Sequence, residues 1–357
     1  MMVEWKKLGE VCYFNRGRTI TAKEAVEGSV PVIAGGQTPS YYHNEANRSG
    51  ESITVAGSGA YAGFVAYWNQ PIFVSDAFTI EPSEKLLHKY VFQWLKMNQQ
   101  RVFETQKGAG VPHVHGKDIA GFIIPIPSLS EQERIVSVLD TFTASIDNLK
   151  EQISQRRKQY EHYRDQLLDL EGKPGVEMKT LGDVGEICMC KRIMKDQTSD
   201  KGEIPFFKIG TFGGKADAYI ARNLFEEYKT KFSYPKKGDI LISAAGTIGR
   251  SVVFDGEDAY FQDSNIVWIA NDETFVTNRY LYYFYQIATW KTDGGTIKRL
   301  YNYNLKNTGI PVPSLSEQSR IVSILDTFET SIENLEAQLR EREKQYEYYR
   351  NKLLTFE

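Results

Sequence analysis

The chain has 357 residues, 41% of them apolar and 25% charged, with a formal net charge of −3. That length and apolar content suffice for two cores of ordinary domain size. No apolar run is long enough to span a bilayer, and the opening Met1-Met2-Val3-Glu4-Trp5-Lys6-Lys7 lacks the apolar stretch of a signal peptide. An odd, sparse set of cysteines, Cys12, Cys188 and Cys190, predicts a reducing, cytoplasmic setting. No second Cys or His pair lies near them to complete a zinc site, so no metal is expected.

Residues 1–123 read as a first globular head. After the opening Lys6-Lys7-Leu8-Gly9-Glu10-Val11 come strand-like runs at 30–33, 52–56, 64–67 and 71–74, then a helical stretch at about 84–104. Glycine-rich turns separate them, notably Gly35-Gly36 and Gly57-Ser58-Gly59-Ala60-Tyr61-Ala62-Gly63. Gln37, Ser40, Tyr41, Tyr42, His43, Asn44 and Arg48 fall in or beside such turns, as do Lys107, His113 and His115 around Gly108 and Gly110. Side chains of these kinds bond base edges, hold phosphates or stack on bases.

Residues 124–171 form a block that returns at 310–357, with 31 identities in 48 positions at an offset of 186. Each copy opens with Pro-x-Pro-Ser-Leu-Ser-Glu-Gln, from Pro125 and from Pro311. Ser130 with Glu133 predicts a capping box for a long helix, and the second copy, with Ser316 but Ser319 in place of the Glu, predicts a weaker cap. Apolar residues then recur in steps of four and three: Ile135, Leu139, Phe142, Ile146, Leu149 and Ile153, with Arg156 interrupting the stripe. The second copy repeats the pattern as Ile321, Leu325, Phe328, Ile332, Leu335 and Leu339, interrupted by Arg342. This is a coiled-coil seam. Each helix should run about 54 Å. A narrow apolar stripe needs a partner, and the matching copy is the natural one. A pseudo-two-fold axis would make the pair antiparallel and put the heads at opposite ends.

Residues 172–309 read as a second head. It shares the short opening as Lys179-Thr180-Leu181-Gly182-Asp183-Val184, at an offset of 173, and then diverges. Strand-like runs fall at 204–209, 239–243, 251–254 and 266–269, a helical stretch at 278–291, and turns at Gly213-Gly214, Gly246-Thr247-Ile248-Gly249 and Gly294-Gly295. Its candidates for base or phosphate contact are Lys208, Thr211, Lys215, Arg250, Lys298, Arg299, Tyr301 and Asn302. Both heads mix strands with one or two helices, so the fold class is α+β.

Residues 5–122 hold 12 basic and 10 acidic side chains and residues 179–308 hold 18 and 16, so each head is about +2 while the remainder carries −7. Basicity therefore sits in the heads, compatible with phosphate contacts but below the bias of a stand-alone nucleic-acid binder. Enzyme motifs are missing. No Pro-Pro dipeptide supplies the element of amino-directed DNA methyltransferases, and no Gly-Lys is followed by Ser or Thr as a phosphate-binding loop requires. Two readings remain: a DNA reader, and a coiled-coil adaptor whose two heads bind proteins.

Two unlike heads alternating with two near-identical helical blocks, each introduced by Pro-x-Pro-x-Leu-x-Glu-Gln, resemble the specificity subunits of bacterial Type I restriction-modification systems. The resemblance spans the chain. It implies target-recognition domains at 1–123 and 172–309 and conserved helical spacers at 124–171 and 310–357. It further implies a non-catalytic subunit that binds double-stranded DNA at a bipartite, asymmetric site, with one half-site per head. Two methyltransferase subunits and two restriction subunits would assemble around it. S-adenosylmethionine, ATP and Mg2+ would belong to those partners, with no cofactor in this chain.

Overall fold

A computed structural model describes residues 3–294 and 298–356; Gly295, half of one expected turn, lies outside the described residues, as do the terminal Met1, Met2 and Glu357. The chain divides into two compact units, one of Met1–Gln152 with Leu335–Glu357 and the other of Ile153–Asn334. Each unit joins one head to a stretch of both long helices.

In the first head a four-stranded antiparallel sheet runs in the order Cys12–Arg16, Ala77–Pro82, Glu51–Ala56, Val65–Asn69. Beside it Val30–Ile33 pairs antiparallel with Tyr41–His43 and parallel with Phe73–Val74. The second head repeats this plan. Gly185–Cys188, Ile266–Asn271, Ile240–Ser243 and Ser251–Val253 form the larger sheet, and Ile204–Phe207 pairs antiparallel with Tyr219–Ile220 and parallel with Tyr260–Phe261. The faint sequence similarity of the heads thus conceals one topology. The second head adds a strand, Thr198–Ser199, and a helix, Arg222–Lys231, which sequence periodicity did not reveal because only Phe225 along it is buried.

Each sheet is covered by an amphipathic helix. His88–Met97 buries Tyr90, Val91, Trp94 and Leu95 on one face, and Asn278–Ile287, capped by Thr277, buries Tyr280, Leu281, Phe284 and Tyr285. The short shared opening also finds its partner. Glu4–Lys7 pairs antiparallel with Ile123–Ile126, and Glu177–Thr180 with Gly309–Val312, so the two stretches common to both halves lie against each other in two-stranded ribbons. Tyr90 and Tyr280 donate their hydroxyl hydrogens to the carbonyls of Pro125 and Pro311 in these ribbons.

The long helices are Leu129–Leu168 and Leu315–Leu354, 40 residues and about 60 Å each. Their caps correct the sequence expectation. The helix begins a half-turn before the proposed Ser130, and Ser128 Oγ accepts from the Glu131 N–H while Ser314 Oγ accepts from Glu317 N–H. Both copies keep this Ser-Leu-Ser-Glu, so the two caps are equal, and each glutamate reaches forward to Arg134 or Arg320 instead of back to the backbone.

One turn into each helix a glutamine is completely buried. Gln132 Oε1 accepts from the Leu87 N–H and its amide donates to the carbonyls of Lys85 and Pro127. Gln318 makes the same three bonds to Thr277, Phe275 and Pro313. The amide satisfies main-chain groups just before the head's helix and just before the long helix that would otherwise be stranded, and so fastens the long helix to the head's helix.

In the first unit the opening of the first long helix packs antiparallel on the end of the second. Ile135 and Leu139 share a core with Leu354, Phe142 stacks on Tyr349 at 5.3 Å, and Lys150 pairs with Glu343. In the second unit Tyr163 stacks on Phe328 at 5.4 Å, and Leu168 and Leu170 meet Ile321 and Leu325. The arginines that interrupt the stripe do not break the packing. Arg342 lies over the Phe142 ring and Arg156 over the Phe328 ring, at 5.7 and 5.8 Å, so each guanidinium is held by cation–π attraction. Among the described residues no helix is long and apolar enough to cross a membrane.

Candidate nucleic-acid interface

Three chain segments converge at one end of the larger sheet in each head. In the first, the Gly57 N–H donates to the Asp76 carbonyl, the Val114 N–H to the Gly57 carbonyl, and Ser58 bridges to His113. Lys107 and His113 exchange two main-chain bonds of 3.0 and 2.8 Å, closing a glycine-bearing hairpin tip. Gly35 packs so closely that a Cβ there would stand 2.3 Å from the Ser58 carbonyl oxygen, which explains a glycine in that turn.

The second head has the same frame. Ala244 N–H donates to the Asn265 carbonyl, Leu300 N–H to the Ala244 carbonyl, Ala245 bridges to Arg299, and Asp293 and Arg299 exchange two main-chain bonds. Gly57, Ser58, Asp76, Lys107, His113 and Val114 therefore correspond to Ala244, Ala245, Asn265, Asp293, Arg299 and Leu300. The hairpin positions keep the offset of 186 that relates the long helices.

Polarity is exchanged at the hairpin base. Lys107 bonds Asp118 on the following short helix, whereas Asp293 accepts from Tyr303 and from Asn304, the latter at 2.7 Å. Burial works against the charge of Asp118, but the Lys107 bond and the His115 N–H hold its carboxyl below the usual range; Tyr303 and Asn304 do the same for Asp293.

Of the first head's candidates, His113 and His115 are exposed with parallel rings 6.3 Å apart, and Lys107 closes their hairpin. Gln37, Ser40, Tyr42 and Asn44 are exposed on a separate edge. Tyr41 donates to the Ile20 carbonyl, and His43 is buried against Phe73 and bonded to Val26. Arg48 spends its guanidinium on Thr79 and on the carbonyls of Asn15, Arg16 and Asn47. In the second head Arg299 and Tyr301 occupy the places of His113 and His115, with Lys298 and Asn302 exposed beside them and Tyr301 stacked on Tyr303 at 5.9 Å. Lys208 and Thr211 bond each other in a turn, and Lys208 pairs with Asp217; Lys215 is exposed, and Arg250 donates to the Phe212 carbonyl.

Arg299 also donates from Nη2 to Asn265 Oδ1 at 2.8 Å, on the wall of a polar cleft of about 570 Å³ that includes Arg192, Lys195 and Lys208. Ser264, before Asn265, has φ of 53°, a left-handed conformation uncommon for serine and of the strained kind that gathers at functional turns. Ser58, Asp76 and Asn265 were missed by sequence reasoning. The signal that could have found their neighbours was the offset of 186 carried back from the repeated block to the hairpins.

The family described as Type I restriction modification DNA specificity domain matches residues 2–156 and 174–343. The chain is 45% identical over 374 residues to a protein of Haemophilus influenzae named as a type I restriction enzyme specificity subunit, covering 99% of this chain and 96% of that one. It is 30% identical over 399 residues to a type I restriction enzyme specificity subunit of Escherichia coli, covering 99% and 94%. Its fold matches the solved S subunit from M. genitalium at a TM-score of 0.67 and 17% identity, covering 99% and 97% of the two chains. A chain solved in work on complex assembly and conformational transition of the type I R-M system matches at 0.58 and 19%, covering 99% and 97%. The protein belongs to the family of type I restriction-modification DNA specificity subunits.

Proposed function

We propose that this specificity subunit reads double-stranded DNA at a bipartite, asymmetric site, each head taking one half-site. The observation that carries this is the duplicated loop frame: one backbone arrangement presents unlike polar side chains in the two heads. A protein that needed one surface twice would repeat the side chains as well. The paired helices set the gap between half-sites and offer the repeated surface on which two methyltransferase subunits dock. Two restriction subunits complete the assembly. S-adenosylmethionine, ATP and Mg2+ act in those partners, in the cytoplasm, and this chain contributes recognition without chemistry of its own.

Filter binding to duplex DNA over a salt series tests the reading. Phosphate contacts release counterions, so affinity should fall linearly in log–log form with a slope of about −0.9 per phosphate neutralised. A flat response, with binding retained to proteins and not to duplex, would support the adaptor instead.

A further inference from the structure

We infer that the positions shared by Ser58, Asp76 and His113 in the first head and by Ala245, Asn265 and Arg299 in the second are those that choose bases. This rests on the DNA-reading function proposed above. Main-chain bonds fix the three positions equally in both heads. The neighbouring position that only supports the frame keeps its character, since Val114 and Leu300 are both apolar and buried. The three choosing positions do not. In the first head the Asp76 carboxylate accepts from the Ser58 hydroxyl, giving an acceptor-rich group beside the exposed His113. In the second, alanine replaces the hydroxyl, and Asn265 orients the Arg299 guanidinium through a 2.8 Å bond.

The chemistry assigns opposite base edges. A carboxylate accepts from exocyclic amino groups, cytosine N4 or adenine N6, whereas a guanidinium fork matches guanine O6 and N7. The first head's frame therefore selects an amino-bearing edge and the second head's a guanine. Asn265 is a positioning residue: it aims the fork.

The test uses the full-length chain assembled with its methyltransferase subunits, on DNA of randomised sequence, with the methylated motif determined for the wild type and for Arg299→Lys, Arg299→Ala and Asp76→Asn. Arg299→Lys keeps the charge and the hairpin's main-chain bonds but loses the fork. It should relax discrimination at one base pair of one half-site by about 5- to 150-fold, leaving the other half-site intact. Asp76→Asn should change one base pair in the opposite half-site. A uniform loss over all sequences would make Arg299 a phosphate contact and overturn the assignment, as would an unchanged motif. If the wild-type complex methylates a bipartite motif while the variants behave so, DNA reading stands and only the assignment falls; a wild-type complex that modifies no motif removes both.

Discussion

Replacing Gln318 by alanine removes one acceptor and two donors from a site with no solvent access, stranding the Thr277 N–H and the carbonyls of Phe275 and Pro313. At about 1 to 1.5 kcal/mol for each bond, the loss is about 3 to 4.5 kcal/mol. The unit Ile153–Asn334 is in the size range where 1 kcal/mol moves the melting point by about 2 to 4 °C, so its transition should fall by roughly 6 to 18 °C. Gln318→Glu adds a sign. A carboxylate facing two carbonyls favours its protonated form, so its folded pKa rises above the unfolded value of about 4.3. That variant should be nearly native below about pH 4.3 relative to wild type at the same pH, and lose stability as pH climbs through the raised value. Calorimetry of the full chain across pH, with amide exchange followed at Thr277 and at Leu87 as reference, reads both effects. Gln132→Ala should mirror the result at Leu87. A loss under about 1 kcal/mol in both alanine variants, or a glutamate variant indifferent to pH, would refute the account of these glutamines as fasteners.

Exchanging residues 5–122 for another head should change one half of the methylated motif and preserve the other; loss of both halves would show the heads are coupled. Residues 177–357 alone should sediment as a dimer at micromolar concentration and direct methylation of a palindrome, because Leu354 fills in the first unit the place that Leu168 fills in the second; a monomer would refute this. Burial pushes the thiols of Cys12 and Cys190 up to about 12. Both should resist alkylation at pH 8 in the native protein and react in denaturant. The stability of keeping these thiols neutral is full below the unfolded value of about 8.5 and is lost as pH rises toward 12, so the melting point should drop across that range; a flat profile would contradict it.

The duplicated helices were legible because a seam is a local periodic signal, and Ile135, Leu139, Ile321 and Leu325 are fully buried where the period placed them. The cap was misplaced because Ser128 and Ser130 offer the same hydroxyl two residues apart, and only main-chain geometry decides between them. Strands 30–33 and 266–269 were visible as apolar runs. Cys12–Arg16 was not, since its exposed Tyr13 and half-buried Phe14 give no clean alternation. The loop frame was hardest. Asp76 and Asn265 become neighbours of the hairpin tips only through sheet pairing, and no local pattern marks such a meeting. His43 and Arg48, by contrast, had the right chemistry for DNA, but the fold directs them into contacts with its own interior.

The first unit is interrupted in sequence: its head ends long before Leu335–Glu357, yet Leu354 is 1% exposed in that head's core. During synthesis the second unit, contiguous from Ile153 to Asn334, can close as soon as it leaves the ribosome. The core of the head made first is completed only when residues 335–357 emerge, about 10 to 40 s after residue 152 at ordinary elongation rates. Until then the face of that core covered by Leu354, with Tyr346, Leu353 and Phe356 packed beside it, is an apolar surface open to chaperones or to another nascent chain. Completion of the two cores should thus invert the order of synthesis, and removal of residues 335–357 should lower the melting point of the first head more than that of the second, as calorimetry would show.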